Sequence, residues 1–240
     1  MTDSTLRITS KSNPRIKEVC KVKDHPSAEL FLIEGKHLCD MAFEAGCLLE
    51  TFSVKETNYP GVKATLVSED VLSKLAFSPS PSGIVGLAKT PKLSLEGKKV
   101  LILDRVQDPG NVGTICRSAL SFGYDTVYFT KGCASCYGYK AIASSQGAIF
   151  KLALWDNQDE ESLISSLKND GYEVIASALH GAIPLKEFTH KSPFALVLGN
   201  EGRGISANLL ALSSSKVKIE MEGIDSLNVG VAAGILMYCL

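Results

Sequence analysis

Ile219-Glu220-Met221-Glu222-Gly223-Ile224-Asp225-Ser226-Leu227-Asn228-Val229-Gly230-Val231-Ala232-Ala233-Gly234 decides how this chain folds. A short β-type run breaks into a tight polar loop. The loop becomes a helix, expected over 226–238, whose first turn carries Ser226 and Asn228 and whose remainder is almost wholly apolar. Helix N-termini present unsatisfied N–H donors, so polar side chains at the mouth of a buried helix suggest a ligand site. Two earlier segments, 101–117 and 195–205, share the same order of strand, polar glycine loop and helix. Three such loops in one domain can converge on one pocket.

The first of them reads Asp104-Arg105-Val106-Gln107-Asp108-Pro109-Gly110-Asn111-Val112-Gly113-Thr114-Ile115-Cys116-Arg117. Pro109-Gly110 makes a tight turn, and Asn111 suits the N-cap of a helix starting at Val112. The second reads Leu198-Gly199-Asn200-Glu201-Gly202-Arg203-Gly204-Ile205, where the glycines allow sharp bending and close approach of a ligand. It is neither GxGxxG nor a Walker loop, which argues against an ordinary nucleotide phosphate cradle. In the third loop Met221 and Leu227 can wall an adenine or a thioether, or pack in the core.

Outward from these loops, the pattern from Lys98 onward is regular. Strands are expected at 99–104, 126–130, 173–178, 194–198 and 216–220, and helices at 112–122, 161–169, 205–212 and 226–238. Strands separated by helix-length crossovers imply a parallel sheet covered on both faces, with ligands outside the strands' carboxyl ends. Residues 1–90 read as a separate, smaller α/β unit, with a helix starting at Asn13-Pro14 and strands near 30–33, 51–54, 63–67 and 83–88. Residues 91–97 read as a linker, and 98–240 as the second domain.

Composition sets the class. Apolar content of 45% and charged content of 21% are those of a soluble globular protein, and the formal net charge is −1. Charge is uneven, however. Lys11, Arg15, Lys17 and Lys21 concentrate basic character near the N-terminus, and a local patch can bind phosphates on a neutral protein. Seven scattered cysteines and no apolar leader suggest reduced thiols in the cytoplasm, and the lone Cys133/Cys136 pair lacks zinc-site partners. His25, His37, His180 and His190 are not at metal-ligand spacing, so no metal is expected. The apolar run 229–240 is far shorter than the ~20 residues a membrane span needs and reads as a core or interface helix.

Taken together, the three loops resemble the SpoU-type (TrmH-like) 2′-O-ribose RNA methyltransferases of the SPOUT superfamily, in order and at suitable spacing over 98–240. Residues 9–17 and 31–35 resemble pieces of the L30e-like RNA-binding domain that many members carry. The resemblance implies a parallel-sheet α/β domain tied into a trefoil knot, preceded by a smaller L30e-like domain. It implies S-adenosylmethionine as cofactor, held by Gly199, Ile219 and Leu227 mainly through backbone groups and lined by Leu198, Gly202 and Met221. It assigns Asn111, Arg117, Glu201, Ser226 and Asn228 to the polar active site, and it implies a homodimer in which the apolar 226–238 helix is buried.

The implied reaction is methylation of a ribose 2′-hydroxyl in RNA, with large-subunit (23S) rRNA preferred over tRNA. A guanidinium stays charged at all relevant pH, so Arg117 is read as holding a phosphate and stabilising the developing alkoxide rather than as a base. Lys11, Arg15, Lys17 and Lys21 are expected RNA phosphate contacts, with affinity falling steeply in salt. Two positions depart from the family pattern: Glu220 stands where proline is frequent, and Ala143 where arginine is frequent. They keep open a non-catalytic RNA-binding or ribosome-assembly protein on the same fold. A doubly wound nucleotide-binding enzyme without RNA is the third reading, weakened by the missing phosphate-loop patterns.

Overall fold

The computed structural model describes residues 7–91, 93, 97–223 and 226–240. Four residues of the expected linker (92 and 94–96) lie outside the described residues, as do Ile224 and Asp225 of the third loop. By contact the chain divides into two units, Met1–Pro91 with Tyr137–Phe150, and Lys92–Cys136 with Lys151–Leu240.

In the first unit, α1 (Pro14–Asp24) opens where sequence placed it. Asn13 Oδ1 accepts the Arg15 N–H at 2.9 Å, and Pro14 fits the first turn because no N–H is needed there. Then follow β1 (Phe31–Glu34), α2 (Lys36–Glu44), β2 (Leu48–Ser53), β3 (Lys63–Leu66), α3 (Glu69–Leu75) and β4 (Ile84–Ala88). The sheet order is β1-β4-β2-β3, antiparallel except for the parallel β2/β3 pair. Ile16, Val19, Phe52, Val71, Leu75 and Val85 form its core.

The expected boundary was contiguous; the contact division is not. The insertion is held by rings. Phe31 stacks with Tyr137 and Phe150, and Phe77 with Tyr139 at 4.3 Å between centroids. Gly147, at φ +87°, sits so close to Met41 that a Cβ would lie 2.9 Å from its Cγ.

The second unit holds β5 (Lys99–Leu103), α4 (Pro109–Ser121) and β6 (Thr126–Thr130). The chain next passes through the first unit, where α5 is Tyr139–Ser145. It then forms β7 (Ala153–Gln158), α6 (Glu160–Asn169), β8 (Glu173–Ser177), β9 (Ile183–Pro184), β10 (Phe194–Leu198), α7 (Ala207–Leu212), β11 (Ser215–Lys218) and α8 (Val229–Cys239). All ladders of this seven-stranded sheet are parallel, in the order β7-β6-β5-β10-β8-β11-β9. Central strand β10 is apolar and wholly buried, and β5 is apolar and buried after Lys99, as burial on both faces requires.

Sequence missed β7, β9 and α5, and shifted several ends. After buried Ala153, β7 alternates half-buried and exposed positions on a sheet edge, where half the residues are polar and the apolar signal is thin. From β5 the chain moves outward through β6 and β7, while β10 lies on β5's other side. Such a switch point opens a crevice at the strands' carboxyl ends.

Candidate active site

The first loop caps differently from the sequence expectation. Asp108, not Asn111, is the N-cap of α4: its Oδ1 accepts the Asn111 N–H at 2.9 Å, and Pro109 occupies the first helical turn. Asp and Asn cap equally well, but Pro109 adds a preset φ and a missing N–H at the first helical position that Val112 does not. The shift places Asn111 within the first turn and frees its side chain. Its Nδ2 donates to Glu201 Oε1 at 3.0 Å, and its Oδ1 accepts from Asn228 Nδ2 at 3.1 Å. Three residues from three loops thus form one hydrogen-bonded chain.

The helix expected over 226–238 begins later, at Val229. Asn228 is its N-cap, accepting the N–H groups of Gly230 and Val231 at 2.9 and 3.3 Å. Capping uses the side-chain oxygen and leaves the amide nitrogen for Asn111. Gly230 lets α8 pack this closely on α4: a Cβ there would lie 3.1 Å from Asn228 Oδ1 and 3.5 Å from Thr114 Cγ2. Ser226 is exposed and hydrogen-bonds none of the described residues.

Glu201 is exposed yet engaged. Partial burial works to raise its pKa, but hydrogen bonds from Asn111 and the N–H groups of Gln107 and Asp108 outweigh this and hold it below the usual glutamate range. Arg117 lies exposed on α4 and makes no ion pair among the described residues. Its neighbour Cys116 is fully buried and its thiol is pushed up to about 12 by burial, so it packs rather than reacts.

The second loop doubles back on itself. Asn200 and Gly204 exchange main-chain hydrogen bonds at 3.1 and 2.9 Å, and Asn200 Oδ1 accepts the N–H groups of Gly202 and Arg203, both at 3.0 Å. Gly199 passes so near that a Cβ would lie 2.3 Å from the Gly204 carbonyl carbon, so only glycine fits. Both ends of the loop are anchored to one dipeptide. Asn200 Nδ2 donates to Arg105 O at 2.8 Å, and the Ser206 N–H donates to Asp104 Oδ2 at 2.7 Å.

Asp104 is fully buried and also accepts from Arg105 Nε at 2.9 Å and Thr130 Oγ1 at 3.2 Å. Arg105 takes a left-handed φ of +54°, which costs a non-glycine residue energy and is sustained by these bonds. Sequence reading passed over Asp104, Arg105 and Asn200. Their only signal was an acid at a strand's carboxyl end and an amide among glycines.

Leu198 is buried, and Gly199, Ile219, Met221 and Leu227 are half-buried. The main-chain N–H and C=O groups of Gly199, Ile219 and Leu227 hydrogen-bond to no described residue. Unpaired backbone groups beside apolar walls are a donor and acceptor set that fits a nucleoside. Gly202 differs, since its N–H is taken by Asn200. Glu220 is exposed, with Lys186 Nζ 3.7 Å from its carboxylate, while Ala143 lies on α5 in the first unit.

The four N-terminal cations divide in two. Arg15 is committed to Glu50 and Glu18, and Lys11 faces Asp70 at 3.4 Å. Lys17 and Lys21 are exposed one helical turn apart, with no ion pair among the described residues. Among the described residues no group of three or more His, Cys, Asp and Glu is placed to hold a metal, and no helix is long and apolar enough to cross a membrane.

Residues 98–238 match the model of the SpoU rRNA Methylase family. The chain is 34% identical, over 98% of its own length and 98% of the relative's, to the 23S rRNA (guanosine(2553)-2′-O)-methyltransferase RlmP of Bacillus subtilis. It superposes on a crystal structure of an RNA 2′-O ribose methyltransferase with a TM-score of 0.80 at 32% identity, covering 98% and 97% of the two chains. An AdoMet-bound rRNA methyltransferase from Sinorhizobium meliloti shares the fold, with a TM-score of 0.86 at 24% identity over 98% and 96% of the chains.

Proposed function

The chain belongs to the SpoU rRNA methylase family, and on that premise we propose that it methylates a ribose 2′-hydroxyl of large-subunit rRNA with S-adenosylmethionine. The observation that carries this reading is the Asn228–Asn111–Glu201 chain, which draws three loops together, with the exposed Arg117 further along α4, the helix that also carries Asn111. The near full-length relative named for a 23S rRNA guanosine supports rRNA over tRNA.

The cofactor supplies an electrophilic methyl group on a sulfonium. Gly199, Ile219 and Leu227 hold it through main-chain groups, with Leu198, Gly202 and Met221 as walls. Asn111 and Asn228 orient the ribose, with Ser226 at the loop's edge. Arg117 grips the adjacent phosphate and stabilises negative charge growing on the 2′-oxygen. Arg117 cannot take the proton, and Glu201, with its lowered pKa, is a poor base. The proton leaves to water or to the substrate's own phosphate.

The active form is a homodimer in the cytoplasm, where its rRNA is made. On α8, Val231 (53% exposed), Ile235 (36%) and Tyr238 (75%) form an apolar stripe at helical spacing, which a second copy covers. A monomeric Tyr238→Glu chain that keeps full activity refutes the dimer.

The deciding experiment is methyl transfer from labelled S-adenosylmethionine to rRNA from a methylation-deficient host. Label should appear in 2′-O-methyl nucleotides and fall roughly 100-fold in Arg117→Ala with cofactor affinity unchanged. Label confined to tRNA moves the substrate, and absence of both transfer and cofactor binding refutes the reading.

A further inference from the structure

Trp155 is the chain's only tryptophan, and it is 44% exposed. It lies on β7, an edge strand, directly opposite Tyr128 of β6. The two rings stack with centroids 6.4 Å apart and planes 26° from parallel. A sheet edge is normally protected by charge, so a large aromatic there calls for a partner. Beside the pair opens a cleft of about 360 Å³, walled by Asn157 and Gln158 of β7 and Ser162 and Ser166 of α6.

The strand is irregular at this point. Its register on β6 shifts between Tyr128/Trp155 and Thr130/Gln158, and Asn157 takes a left-handed φ of +53°. Such bulges turn side chains toward a site. The carboxyl end of β7 lies on the same sheet edge as those of β5 and β10. The two regions are also bonded: Glu160 Oε2, one residue past the cleft's rim, accepts from Ser206 Oγ and Asn208 Nδ2, both at 3.2 Å.

We propose that this cleft is a nucleobase subsite, in which Trp155 stacks on an unpaired base of the substrate RNA close to the methylated nucleotide. This rests on the RNA methyltransferase reading. The lining selects a base over a phosphate. The Asn157 amide and the Ser166 hydroxyl offer donors and acceptors to a base edge, the Trp155 ring is partly exposed, and Asp159 in the lining repels phosphate. Single-stranded RNA is recognised in this way, by aromatic stacking and polar contacts to splayed bases.

The single tryptophan makes the site report on itself. Tryptophan emission is followed while unmodified large-subunit rRNA transcript, or oligoadenylate, is added to the full-length protein, with binding measured in parallel by filter retention. Quenching should track binding. Trp155→Ala should weaken RNA affinity about tenfold and leave cofactor affinity intact, while Trp155→Phe keeps most of the affinity. Unchanged emission at saturating RNA overturns the subsite, as does a Trp155→Ala chain that binds RNA like wild type. A Trp155→Ala chain that alters only oligomeric state overturns it too, in favour of a protein interface. RNA methylation without quenching sinks the subsite alone; failure of RNA to bind at all sinks both readings.

Discussion

Asn228 bonds in two directions: its oxygen caps α8 and its amide nitrogen donates to Asn111 Oδ1 at 3.1 Å. One residue therefore sets both where the last helix starts and how the first loop's polar side chain is held.

These roles separate by substitution. Asn228→Asp keeps a capping oxygen and loses the donor, so thermal stability should stay within about 0.5 kcal/mol of wild type. Methyl transfer should fall at least tenfold, since small errors of geometry are costly in positioned reactions. Asn228→Ala should lose a further ~1 kcal/mol through the missing cap. Melting curves beside initial rates test this, and an Asn228→Asp chain with normal rates would remove Asn228 from the site.

Asp104 and Arg105 fix the two ends of the 199–206 loop, Asp104 by accepting the Ser206 N–H and Arg105 by accepting from Asn200 Nδ2 at its carbonyl. Asp104→Asn leaves buried donors poorly matched, at a cost of about 1–3 kcal/mol in denaturant unfolding. If the loop holds the cofactor, KM for S-adenosylmethionine should rise more than kcat falls. The opposite split would assign Asp104 to the overall fold alone.

Glu50 sets an acid limit on the first unit. It is 2% exposed, and burial works to raise its pKa. Hydrogen bonds from Thr65, Arg15 and Lys63 outweigh this and bring it below the ordinary value of 4.5. A lowered folded pKa means that stabilisation is present above the ordinary value and is lost as pH falls through the depressed one. Melts of wild type should hold from pH 7 to about 5 and fall below 4.5. Glu50→Gln should be less stable at pH 7 by about 2–3 kcal/mol, with a flatter acid limb. A parallel acid limb in the variant would assign the transition to other carboxylates.

Of the four N-terminal cations, Lys17 and Lys21 are the two with no ion pair among the described residues. The double Lys17→Ala/Lys21→Ala chain should fold normally and bind RNA more weakly, with the salt-dependence slope reduced by about 1.5–2. Arg15→Ala should instead lose stability, because it strips a partner from buried Glu50. Binding titrations at several salt concentrations decide between these roles. An unchanged slope in the double variant would place the RNA elsewhere.

The amino-acid sequence by itself determined the parallel α/β domain, the smaller unit before it and the three loops. Strong local signals carry these: apolar runs for buried strands, Asn13-Pro14 for a helix start, and glycines where the chain must turn. Tertiary structure decided what local pattern leaves degenerate. Asp108 and Asn111 are both good caps, and only the folded chain shows which caps and which is freed for Glu201. The insertion 137–150 joins the first unit because its rings find Phe31 and Phe77, a match between residues far apart in the chain. Asp104 and Trp155 acquire their settings the same way, from neighbours that local periodicity does not encode: Ser206 lies 102 residues from Asp104 in sequence, and Tyr128 faces Trp155 from the adjacent strand.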